Sequence, residues 1–150
     1  MSANDFFEYL NEPDSSGTID EVAEQAVDNI TQSVSDLSAL GARQFLVINS
    51  SDLAALPGAM EFGITEQSEQ FTNSVNALLP VKLESLSHVL DDTEIALYDH
   101  VAISDRIRKS PQDYGLTNIT EPCQPVFPIE AACNNPTENR LYRKRPANAR

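Results

Sequence analysis

The sequence predicts an α/β fold built on a parallel sheet, and three observations lead there. Two long segments, 18–41 and 65–89, carry apolar residues at helical spacing. Two short, nearly continuous apolar runs, 44–49 and 95–99, alternate with them and suit strands buried on both faces. The resulting order is helix, strand, helix, strand, helix, the alternation of helices packed on a parallel sheet.

Each element has its own warrant. Residues 1–16 open with Ala3-Asn4-Asp5 and an aromatic run (Phe6, Phe7, Tyr9, Leu10). They end in the turn formers Asn11-Glu12-Pro13-Asp14-Ser15-Ser16-Gly17. Thr18 and Glu21 stand at capping-box spacing, where each satisfies a free backbone donor of the other. Ile19, Val22, Ala23, Ala26, Val27, Ile30, Val34 and Leu37 then form one apolar stripe. Asp20, Glu21 and Glu24 favour the positive end of the helix dipole, and Gly41 stops the helix.

Gln44 to Asn49 is the first expected strand. Residues 50–63 read as a loop around Pro57-Gly58. The second long helix runs from Thr65 to Val89, with Phe71, Val75, Leu78, Leu79, Leu83, Leu86 and Val89 facing inward. Pro80 should kink or split it, because it has no N–H to donate. Ile95 to Asp99 is the second strand, and Val101 to Lys109 a short helix turning Ile103 and Ile107 inward. Residues 110–139 hold five prolines and no clear period. A crossover helix normally joins two strands, and the first long helix has none before it. The expectation is an opening strand upstream of Met1.

Charge narrows the function. Of 150 residues, 23 are acidic and ten basic, a net charge of −13. Every acidic residue lies at or before Glu138, while Arg140, Arg143, Lys144, Arg145 and Arg150 follow it. An acidic body excludes nucleic acid as a partner, since neutralising phosphates takes Lys and Arg. The basic end, 137–150, reads as a solvated tail. No run approaches the roughly 18 apolar residues of a membrane helix, and Asp5 and Glu8 stand where a leader would need basic and apolar residues. The compartment is left open. Cys123 and Cys133 are spaced to permit a local disulfide, while zinc would need more ligands than two cysteines supply.

Two segments carry a resemblance to a known family. Gly41-Ala42-Arg43-Gln44-Phe45-Leu46-Val47-Ile48-Asn49, followed by Ser51-Asp52-Leu53, is similar to the GAR-x-x-(V/L)-V-x-N-x-P-D-L segment of the GDSL/SGNH ester hydrolases. Pro111-Gln112-Asp113-Tyr114-Gly115-Leu116-Thr117-Asn118-Ile119-Thr120-Glu121-Pro122-Cys123 resembles their N-P-x-x-Y-G-F-T-N-V-T-x-P-C segment. Between them, the helix with Phe71 and Asn76 fits the family's F-N-x-x-L-type helix. The resemblance spans roughly residues 2–136. It implies a three-layer, flavodoxin-like sandwich with an incomplete parallel sheet, a partial hydrolase domain over 1–136, and ester or lipid substrates without metal or organic cofactor.

The family's reaction is acyl transfer to water: a Ser attacks, a His takes its proton and an Asp orients the His. An Asn amide in a G-x-N-D motif at a strand end helps hold the oxyanion. Ser2-Ala3-Asn4-Asp5 resembles that motif with Ser2 in place of Gly, so the resemblance makes Asn4 the oxyanion-hole equivalent, at the mouth of the sheet. The G-D-S block is absent from the 150 residues. Cys133-Asn134-Asn135-Pro136 resembles the lead-in to the D-x-x-H block, but Thr137-Glu138-Asn139-Arg140 follows and no His occurs after His100. A frameshift or truncation is the expected cause. The chain is therefore expected to be a fragment or degenerate member that cannot catalyse alone. The alternative is a non-catalytic α/β subunit that completes its sheet with another chain.

Other residues merit inspection for chemistry. Asp99-His100 ends a strand, His88 sits near Asp91 and Asp92, and Ser50-Ser51-Asp52 follows a strand without the G-x-S-x-G elbow. Asp91-Asp92-Thr93-Glu94 is an acidic turn, ordinarily a solvated connection. Asn29, Asn49 and Asn118 begin glycosylation triplets that arise often by chance.

Overall fold

A computed structural model describes residues 2–11 and 17–119. The tail, both cysteines and the boundary at 136 lie outside the described residues.

The chain opens with α1 (Ser2–Asn11) and then α2 (Ile19–Ala39). Thr18 caps α2 as its spacing predicts: Glu21 N donates to Thr18 Oγ1 at 3.2 Å, and Thr18 N donates to Glu21 Oε2 at 2.6 Å. β1 (Gln44–Ile48), α3 (Pro57–Glu61), α4 (Thr65–Ser87), β2 (Glu94–Tyr98) and α5 (His100–Lys109) follow. A 3-10 turn over Pro111–Tyr114 closes on Gly115, whose φ of 71° suits a residue without a Cβ. β1 and β2 pair in parallel, with Gln44 opposite Glu94 and Ile48 opposite Tyr98. The mixed helix–strand architecture agrees with the α/β class.

The core lies between the two long helices and one face of the sheet. Ala23, Val27 and Val34 of α2 meet Phe71, Val75, Leu79 and Leu83 of α4, and Val47 supports them from β1. α1 joins through Phe6, fully buried, whose ring stacks on Phe71 at 4.9 Å. Lys82 reaches across to Asp28 at 2.9 Å, but an exposed ion pair of this kind adds little.

Several expectations need correction. The strands are covered on one face only: Leu46 is 67% exposed and Ile48 54%. Among the described residues the long helices α2 and α4 pack on the face that carries Val47. Pro80 does not split its helix; α4 runs through it. The lost N–H falls opposite the Asn76 carbonyl, and the anchoring of buried Leu79 and Leu83 on either side outweighs a defect of about 3 kcal/mol. The expected loop at 50–63 contains α3. Leu37 and Val89 were placed on inward stripes, yet they are 50% and 74% exposed. Ile103 and Ile107 are only half-buried, and α5 has no buried residue.

Candidate functional site

Two parallel strands end at the same rim, which is where open α/β sheets collect ligands. After β1 come Asn49, Ser50, Ser51 and Asp52; after β2 come Asp99 and His100. The in-register pairing of Ile48 with Tyr98 places these two strand exits side by side.

Asn49 and Asp99 lock the exits together. Asn49 Nδ2 donates to Asp99 Oδ1 at 2.9 Å, and the His100 backbone N–H donates to Asn49 Oδ1 at 2.8 Å. The same Asp99 Oδ1 caps α5 by accepting from Ala102 N at 3.0 Å. These donors, the Ala102 N–H foremost and then the Asn49 amide, hold the Asp99 carboxyl below its ordinary value of 3.8.

Ser50 is fixed from the helix side. Asn76 Oδ1 accepts from Ser50 N at 2.8 Å, and Asn76 Nδ2 donates to Ser50 O at 3.0 Å. A side-chain amide thus substitutes for a neighbouring strand at a nearly buried backbone unit. Thr72 acts likewise: its hydroxyl accepts from Leu53 N at 3.3 Å and contacts Ser51 O at 3.4 Å. Arg108 joins α5 to this loop through Asp52 at 3.1 Å and holds Asp105 at 2.6 Å.

A serine does meet a histidine here. Ser51 Oγ lies 3.3 Å from His100 Nδ1, and Ser104 Oγ lies 3.3 Å from the same nitrogen. The groove beside them, about 240 Å³, is lined by Leu56, Ile103, Ile107 and Arg108 as well. Sequence reading singled out Ser50-Ser51-Asp52 and Asp99-His100 separately and missed their contact. The usable signal was that both follow strands that pair in parallel.

The geometry falls short of a Ser-His-Asp relay. Both hydroxyl contacts are long for hydrogen bonds, and two serines share one ring nitrogen. His100 is the first residue of α5. Among the described residues no hydrogen bond joins the Asp99 carboxylate to the imidazole, because that carboxylate caps the helix and holds Asn49. Ser51 also stands at the proline position of the N-x-P-D-L pattern, so it matches no nucleophile of the resembled family.

The other singled-out residues lie elsewhere. Asn4 is exposed in the first turn of α1, inside a helix rather than at a strand end. It precedes by two residues Phe6, which stacks on Phe71, next to the Thr72 that contacts Ser51. His88 is exposed at the C-cap of α4. Asp92 adopts a left-handed φ of 57° in the acidic turn before β2. No group of three His, Cys, Asp or Glu able to hold a metal occurs among the described residues. Nor is any described helix long and apolar enough to cross a membrane.

No family model matches the chain, and no curated protein sequence matches it.

Proposed function

We propose that the chain is a portion of a GDSL/SGNH-type ester-hydrolase sandwich and does not hydrolyse esters by itself. The observation that carries this reading is the half-covered parallel sheet. Leu46 and Ile48 stand exposed on a face that a three-layer fold would cover with a second set of helices. The resemblance of residues 41–53 and 111–123 to family segments supports the same reading. The rim supports the absence of activity, since both of its serine–histidine contacts are long and, among the described residues, no acid hydrogen-bonds to the histidine.

The parent reaction would be serine-dependent cleavage of a carboxylic ester, with Asn4 contributing an amide to the oxyanion cradle. On the resemblance Asn4 would be one donor of that cradle, and the attacking serine, the base and the orienting acid would have to come from outside these 150 residues.

The purified chain is expected to release p-nitrophenol from p-nitrophenyl acetate no faster than its Ser51→Ala variant. Turnover that both Ser51→Ala and a serine-directed organophosphate abolish would overturn the reading.

A further inference from the structure

The geometry points to the groove between the β1 exit and α5 as a binding site for a small, neutral aliphatic molecule bearing a carbonyl oxygen. This inference goes beyond the ester-hydrolase reading and does not need it, since it assigns no reaction to the groove. It follows from the shape, hydrogen bonding and charge of one end of the sheet.

The helix supplies the shape. His100, Ile103, Ser104 and Ile107 stand at i, i+3, i+4 and i+7, so they share one face of α5. That face is polar at its start and apolar toward its end. It does not reach the core: α5 has no buried residue, and Ile103 and Ile107 line the groove together with Leu56 from the β1 exit. A ligand lying along α5 therefore has its polar atom near His100 and its chain beside Ile107. The groove holds about 240 Å³. At roughly 30 Å³ per liquid water that is about eight waters, which suits a ligand of about four to six carbons.

Hydrogen bonding selects the polar atom. Ser51 Oγ and Ser104 Oγ both stand 3.3 Å from His100 Nδ1, and neither hydroxyl has another partner among the described residues. A ring nitrogen without a proton offers one lone pair, and one with a proton offers none. Two hydroxyl protons thus compete for at most one acceptor, whichever state the imidazole is in. A carbonyl oxygen has two lone pairs and no proton of its own, so it can accept from both serines. A ligand hydroxyl would bring one more donor to a place where donors are already in excess.

Charge selects a neutral ligand. Apart from His100, the charged residues of the lining are Asp52 and Arg108. They pair with each other at 3.1 Å, and Arg108 also holds Asp105 at 2.6 Å. An anion would have to share a guanidinium that two carboxylates already occupy. A cation would have to compete with Arg108 for Asp52. Either would give up hydration for a partner already engaged.

The probes are methyl ketones of increasing length, from acetone to methyl butyl ketone. They are titrated into the full chain while the backbone amide resonances of Ser51, His100, Ser104 and Ile107 are followed. Saturable shifts are expected at these amides, with affinity rising about fourfold for each added methylene. The double variant Ser51→Ala, Ser104→Ala is expected to bind methyl butyl ketone about tenfold more weakly at unchanged helix content. Ile107→Ser is expected to flatten the dependence on chain length. Pentanoate and pentylammonium are expected to bind more weakly than methyl butyl ketone. Shifts at none of these amides would overturn the assignment, as would an affinity indifferent to chain length. So would a charged analogue that binds more tightly than the ketone, or a double variant that binds as well as the unaltered chain.

Discussion

On one face of the sheet, Phe45 and Val47 meet the stripes of α2 and α4, and the residues between them are closed to solvent. On the other face, a strand's width away, Leu46 and Ile48 stand open. The same five-residue strand supplies both sets, so composition does not explain the contrast. The helices do. They interlock along their length and take only Phe45, Val47 and Ile95 from the sheet, whose other face leaves Leu46 and Ile48 exposed. The hydrophobic stability of this chain therefore resides in a helical layer that a two-stranded sheet merely joins.

Substitution breaks or sharpens that contrast. Phe71 is fully buried and stacks on Phe6, so Phe71→Ala is expected to cost about 3–5 kcal/mol. Leu46→Ser removes a larger side chain from β1 than many core substitutions do, yet it should change stability by only about 0.5 kcal/mol or less. Urea unfolding followed by circular dichroism reads both. A cost at Leu46 equal to that at Phe71 would mean that the open face is covered in solution.

Asn76→Ala tests the seam between the two regions. The substitution strips Ser50 of an acceptor for its N–H and a donor for its carbonyl at a position 5% exposed. Leaving such groups unsatisfied costs about 1–3 kcal/mol. The expected result is a lower urea midpoint with an unchanged slope. Asn76→Asp, which keeps the acceptor but loses the donor, should fall between the wild-type chain and Asn76→Ala.

The same contrast explains what the sequence made legible. The capping box at Thr18, the stripes through Val27 and Val75 and both strands follow from local pattern, and the structure contains them. Periodicity names a helical face but not what stands opposite it, which is why Leu37 lies exposed on its stripe, and it does not fix where a helix ends, which is why Val89, two residues beyond the end of α4, lies exposed as well. A continuous apolar run such as 44–49 implies two covered faces only if both layers are present. Pro80 was read by its missing donor alone, while the burial of Leu79 and Leu83 keeps α4 in one piece. At the rim, Ser51 and His100 are 49 residues apart, and only the register of two parallel strands brings them together. The resemblance offered Asn4 as a site residue, but it carried no signal for His100.

The smallest effect is expected at the rim, where a charged group holds the strand exits together. Asp99 has its carboxyl held below 3.8 by the Ala102 N–H and the Asn49 amide. A carboxyl whose folded value is depressed stabilises the folded state when pH exceeds its unfolded value. That contribution is lost as pH falls from there through the lower folded value. Asp99→Asn keeps a neutral oxygen that can accept from Ala102 N but carries no charge to titrate. Its urea midpoint, plotted against pH from about 5 to 2, should decline less steeply than that of the unaltered chain. Other carboxylates titrate identically in both proteins, so the difference between the two curves isolates this group. Parallel curves would mean that Asp99 is as well solvated folded as unfolded, and that Asn49, rather than the charge, holds β1 to the start of α5.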